Sequence, residues 1–376
     1  MESLVFWGGQ GWDDGTIGLY IAISCLAGLL SFFSTRSRTG RSPIFPFALA
    51  SITIILFKGL CVSGVDVRIG GGYYLNFMSA INLSSFRDKS VEIGFQVFTV
   101  AIRQLTNNYG LYLLISAAVS VLPVMFVFWN LRDRVNLPFA VLGYSLVFLV
   151  TGVSAMRQFI AVGICLLVSY YYLLKHYKWA FLCLLISCSF HYSAACILLM
   201  LALLVTEKRR GIQLIVAVSS VIFCFVANNV ISTLFVGRYS IYFVDESASF
   251  GLAVFFKYIP LFILLLAVES RLIVRRRDGG LEIGVDGSYL SHCWAILLFA
   301  CSIALIGYII PIFGRAESYS LPIVLVLSYL IKKCEEERYF RLPVKLLVFC
   351  YFCFRLLLYM SDSYLSEGLM PYLSWL

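Results

Sequence analysis

Four side chains that carry or can take a positive charge, Arg157, His191, Arg238 and Arg315, each stand at the rim of a long apolar run. A charge near bilayer hydrocarbon is costly and normally faces an interior cavity rather than lipid. Arginine keeps its charge and grips phosphate or carboxylate through a planar fork. Histidine exchanges protons near neutral pH. A cavity lined by such groups suits an anionic ligand and a proton transfer beside it. Each group also has a plainer reading. Arg157 snorkels to headgroups, His191 bonds a carbonyl or serine, and Arg315 pairs locally with Glu317.

Further candidates flank these four. Gln158 follows Arg157, and Tyr319 lies four residues after Arg315, a spacing that shares one face of an α-helix. Arg238, Tyr239 and Tyr242 form a loop suited to sugar stacking or phosphate contact, although interfacial tyrosines are common in any case. Asp66 and Glu92 are carboxylates around a glycine-rich stretch that also holds Arg68. Either is a reserve general base or an ion-pair partner for an arginine. Gly70–Gly72 is not a phosphate loop, because no lysine follows in the P-loop pattern. There is no HExxH, no DxD and no His/Cys cluster, so neither a metal nor a cofactor is expected.

The elements that must hold these residues are membrane helices. Hydrophobic residues make up 61% of the chain and charged residues 13%, against about 25% charged in a soluble domain. The net charge of +9 does not point to nucleic acid, because the basic residues sit in short loops between apolar runs, where they set topology. The twelve cysteines are scattered singly, apart from Cys350 and Cys353, and read as small buried hydrophobes. The first residues lack a basic n-region, so the first span reads as a retained helix.

Apolar runs of membrane length fall near 16–34, 44–62, 109–129, 137–153, 158–174, 211–229, 253–271, 289–310, 317–333 and 343–360. The stretch 179–206 is interrupted at His191, and each half is short for a span. The Lys/Arg-rich loops all fall on one side only if 179–206 is a hairpin of two short helices. The expectation is a single all-α polytopic domain over 1–376, with about ten full spans and that broken hairpin. The basic side is cytoplasmic, and both termini and all four rim cations lie outside. Two outer loops result, 63–108 and 230–252. In the first, Val91–Leu105 is amphipathic, with Phe95, Phe98 and Ile102 on one side, and is expected to lie at the interface or re-enter.

Taken in order, these residues resemble a known family. Gly64-x-Asp66, Tyr73-Tyr74, Glu92-x-Gly94-Phe95, Gly152, Arg157-Gln158-x-x-Ala161, Phe190-His191-x-Ser193-Ala194, Arg238-Tyr239 and Arg315-x-x-x-Tyr319 resemble the EpsG/Wzy family of polysaccharide polymerases. One departure is that the cations nearest the Gly64-x-Asp66 stretch are Lys58 and Arg68, where an arginine just before it is expected.

The resemblance implies a multi-span glycosyltransferase of the GT-C-like kind in the bacterial inner membrane, working at the periplasmic face without nucleotide or metal. Its substrates would be undecaprenyl-diphosphate-linked oligosaccharides, as donor and acceptor, for O-antigen, lipopolysaccharide or exopolysaccharide. A chain-length co-polymerase and a flippase are the implied partners. Arg157, Arg315 and Arg238 would bind the diphosphate, and His191 would be the base, with Asp66 or Glu92 in reserve. A flippase of the same lipid-linked sugar and an O-antigen ligase are the alternatives. A flippase should show two repeated halves, and none is detectable.

Overall fold

The computed structural model of the chain describes residues 13–35, 43–206, 209–234, 257–277, 286–309, 311–335, 341–363 and 372–374. Within these residues the chain is helical apart from turns and one isolated β-bridge, Cys61 to Ser374. Six helices are long and apolar enough to cross a membrane, so the chain is a polytopic membrane protein. Shorter apolar helices, Ile44–Leu60 and Tyr177–Phe190 among them, accompany the six. The chain divides into two compact units, Met1–Tyr192 with Leu342–Leu376, and Ser193–Arg341.

In the first unit α1 (Asp14–Thr35), α5 (Tyr109–Asn130) and α8 (Met156–Leu173) are of spanning length, and the shorter α2 (Ile44–Leu60) packs among them. Between them lie α3 (Gly72–Ser79), α4 (Ile93–Leu105), α6 (Leu137–Gly143) and α7 (Leu149–Ser154). A π-helical turn, Tyr144–Phe148, joins α6 to α7 inside one buried span. After α8 come α9 (Tyr177–Phe190) and, from the far end of the chain, α15 (Arg341–Ser363). The starts are set locally. Asn108 and Asn136 cap α5 and α6 by accepting from the backbone N–H of Leu111 and Phe139, which satisfies an otherwise orphaned donor.

Packing follows membrane logic rather than that of a soluble core. The buried face of α1 is Thr16, Tyr20, Ser24, Ala27, Gly28 and Ser31, while Leu26, Leu29 and Phe33 are exposed. Lipid is as apolar as leucine, so small residues that let backbones approach are the ones turned inward. On this basis α1 packs on α2 and α6, α2 on α5, α5 on α8, and α8 on α9. The α8–α9 seam is closed by Ser187, which donates to Ala161 O at 3.2 Å and lies 2.9 Å from Cys165 Sγ.

The second unit contains a 3-10 turn from Tyr192 to Cys196, α10 (Ile197–Val205), α11 (Arg210–Leu234), α12 (Ile259–Arg277), α13 (Asp286–Ile309), a 3-10 segment Pro311–Ser320 and α14 (Pro322–Glu335). Helix α13 packs against α10, α11, the 3-10 segment and α14. Glu269 of α12 is buried between Arg210, with which it forms an ion pair, and Trp294, whose Nε1 donates at 3.1 Å.

Two expectations change in this unit. The span expected from 317 begins at Pro322, because 311–320 is wound as a 3-10 helix. For the same reason Arg315 and Tyr319 do not share a face. With three residues per turn, positions four apart diverge by about a third of a turn. Arg315 is accordingly exposed and Tyr319 buried.

Candidate active site

Three elements of the first unit bring together Glu92, Arg157 and His191. Arg157 lies in the first turn of α8, just after Ala155 breaks the helix at φ −91° and ψ 58°. His191 ends α9 in extended backbone, held by its N–H to Ser187 O at 3.0 Å. Glu92 precedes α4 and does not use its side chain to cap that helix. Instead one carboxylate oxygen pairs with Arg157 Nη1, and the other stands 2.7 Å from His191 Nδ1. The Tyr192 backbone N–H reaches the second oxygen at 3.4 Å.

Exposure differs across the cluster. The Glu92 side chain is 4% exposed, against 19% for Arg157 and 23% for His191. The carboxylate is therefore the buried hub, and the two cationic groups reach the surface of the unit. Among the described residues none bonds His191 Nε2. Burial pushes the Glu92 carboxyl up, but the His191 hydrogen bond and the charges of Arg157 and His191 outweigh it and hold it at about 2. It is ionised at neutral pH.

Close approach makes this possible. A Cβ on Gly94 would come within 2.7 Å of Ser189 O, so α4 lies against the end of α9 only because residue 94 is glycine. Phe95 presents its ring to Arg157, 5.9 Å from the guanidinium, and packs against Tyr73 at 5.6 Å. The amphipathic reading of Val91–Leu105 holds, with Phe95 and Ile102 buried and Phe98 half-buried on one side.

Tyr73 is a member that the sequence marked only as part of a motif. Its buried hydroxyl accepts from the Arg157 backbone N–H at 3.5 Å. Burial raises its phenol above the usual value, and Arg157 works against that rise. Asp66 is half-buried next to it and starts α3 through Tyr73 N–H to Asp66 O at 3.0 Å. Arg68 is exposed on the same loop, and Gln158 is buried within α8.

The remaining candidates belong to the second unit or fall outside the described residues. In the second unit Ser193 Oγ donates to the Tyr319 hydroxyl at 3.1 Å. Glu317 is bound by Tyr258 OH at 2.9 Å and Lys257 Nζ at 3.3 Å, which makes Lys257 a described ion-pair partner of Glu317. Arg238, Tyr239 and Tyr242 lie outside the described residues. Among the described residues no group of three or more His, Cys, Asp or Glu side chains could hold a metal ion.

The model of the EpsG family matches residues 44–374. The chain belongs to the EpsG family. The match takes in Glu92, Arg157 and His191 and the helices that carry them. EpsG-family membership indicates a membrane protein of exopolysaccharide biosynthesis. No curated relative and no solved structure matches the chain.

Proposed function

We propose that this EpsG-family protein is a polysaccharide polymerase. It transfers a growing glycan from its lipid diphosphate to a sugar hydroxyl of a second lipid-linked repeat unit, at the outer face of the bacterial cytoplasmic membrane. The observation that carries the reading is the Glu92 carboxylate shared between Arg157 and His191 Nδ1, with Nε2 left to a substrate. A carboxylate on one imidazole nitrogen fixes the tautomer and orients the other nitrogen as a base, the logic of the Ser-His-Asp triad.

In this mechanism the bond between the anomeric carbon and the diphosphate oxygen breaks as the acceptor oxygen bonds that carbon. The acceptor proton passes to His191 Nε2. Negative charge develops on the leaving diphosphate, and the preorganised Arg157 guanidinium stabilises it. Glu92 orients rather than deprotonates, because a carboxyl held at about 2 is too weak a base for a sugar hydroxyl. Asp66 remains the reserve base. Gln158, Arg68, Arg238, Tyr239, Tyr242, Arg315 and Tyr319 are proposed substrate contacts, each tested by its own substitution. The expected partners are the lipid-linked donor and acceptor, a chain-length co-polymerase and a flippase.

The test is the surface glycan of cells carrying Arg157→Ala or His191→Gln, after confirming that each variant is present in the membrane. We expect polymerisation to fall by about 10²–10³-fold for each, leaving a single repeat unit on its acceptor. A wild-type ladder from His191→Gln would refute the base. Loss of every repeat-bearing band would indicate a flippase or a ligase instead.

A further inference from the structure

Lys58 places an amine inside an apolar helix, and the mechanism above does not use it. The residue is 7% exposed, near the end of α2. Its Nζ donates to Ser120 Oγ on α5 at 2.7 Å, and Ser120 in turn donates to Ala117 O at 2.9 Å. Nζ also stands 5.1 Å from the centre of the Phe159 ring on α8. A Cβ on Gly152 of α7 would lie 3.0 Å from it. Among the described residues no carboxylate pairs with Lys58.

The amine carries two donors, and three when protonated. One hydroxyl and one ring are thin compensation for burying it, and an apolar side chain of the same volume would usually be as stable or more so. A stabilising role therefore does not account for the amine. What it touches does. Gly152 and Phe159 bracket the corner at Ala155 where α7 ends and α8 begins. Arg157 lies between them. The same corner is met by the loop after α2, where a Cβ on Gly64 would lie 3.0 Å from Ser154 Cα.

We propose that Lys58 is a positioning residue whose amine sets the Gly152–Phe159 corner and so aims the Arg157 guanidinium. That Arg157 then meets a diphosphate rests on the polymerase reading. That it is aimed at Glu92 does not.

Lys58→Met keeps the stem and removes the amine, and Lys58→Gln retains a donor for Ser120. Two readouts apply to the purified full-length protein. The first is polymerisation of a lipid-linked repeat unit. Turnover is expected to fall by about 10–100-fold, as for a small misplacement of a catalytic group, with a smaller change in KM and a melting temperature equal to or above wild type. The second is modification of Arg157 by phenylglyoxal, mapped by mass spectrometry, which is expected to rise severalfold in both variants.

Unchanged Arg157 reactivity in both variants overturns the proposal, whether turnover is retained or falls together with stability. If the wild-type protein polymerises no lipid-linked repeat, the functional reading fails. Arg157 reactivity then decides the role of Lys58 by itself.

Discussion

At the scale of single residues, Glu92 decides how the site works. It is one of 20 acidic residues, and the sequence marked it only as a reserve base or ion-pair partner. The fold makes it the counter-ion of Arg157 and the anchor of His191. Its carboxyl is depressed from an ordinary 4.5 to about 2, so the pairing contributes fully to stability above pH 4.5 and is lost as pH falls from 4.5 toward 2. Glu92→Gln should abolish that acid-side loss. At neutral pH it should cost about 1–3 kcal/mol, because Arg157 and His191 lose a buried acceptor. Thermal melts in detergent between pH 3 and pH 7 read both effects, and a Glu92→Gln protein with the wild-type acid profile would exclude the pairing.

At the scale of elements, the site depends on α4 reaching the end of α9. Gly94→Ala places a methyl group against Ser189, with its backbone oxygen at 2.7 Å. Backbone cannot yield as a flexible side chain does, so α4 should shift and Glu92 should lose His191. We expect activity to fall by about 10²-fold, with α5 and α8 undisturbed. Proteolysis between α3 and α4, combined with the glycan ladder, checks this. A Gly94→Ala strain with wild-type chain lengths would show that the contact is dispensable. The break at His191 was legible because a polar trio interrupts an apolar run. The 3-10 winding of 311–320 was not, because a spacing of four fits an α-helix equally well until packing chooses.

At the scale of the molecule, Tyr372 is pinned beside the first span. Tyr372 N–H donates to Thr16 Oγ1 at 2.8 Å, its hydroxyl donates to Phe57 O at 2.8 Å, and its ring stacks on Phe57 at 4.8 Å. Leu373 N–H donates to Ser63 Oγ at 2.6 Å, one residue before the Gly64 loop. The start of α1, the end of α2 and residues 372–374 therefore lie at one end of the first unit. An alkaline phosphatase fusion after Ser374 should be active, because that side is proposed to be outer. An inactive fusion that reaches the membrane would reverse the orientation, and the proposed site would then face the cytoplasm.

Composition and the spacing of apolar runs determined by themselves that this chain is helical and lies in a membrane, because lipid offers the backbone no other partner. The order of short motifs carried the family. Rim charges named Arg157 and His191, since a charge at that depth needs a reason. Only the tertiary structure decided that Glu92 joins those two, that Tyr73 lies against Arg157, and that Lys58 lies beneath the corner carrying it. These pairings link residues 65 to 101 positions apart in the chain. Which carboxylate meets which cation at such separations is set by glycines that admit close approach and by the direction in which each helix ends, and neither is expressed in local periodicity.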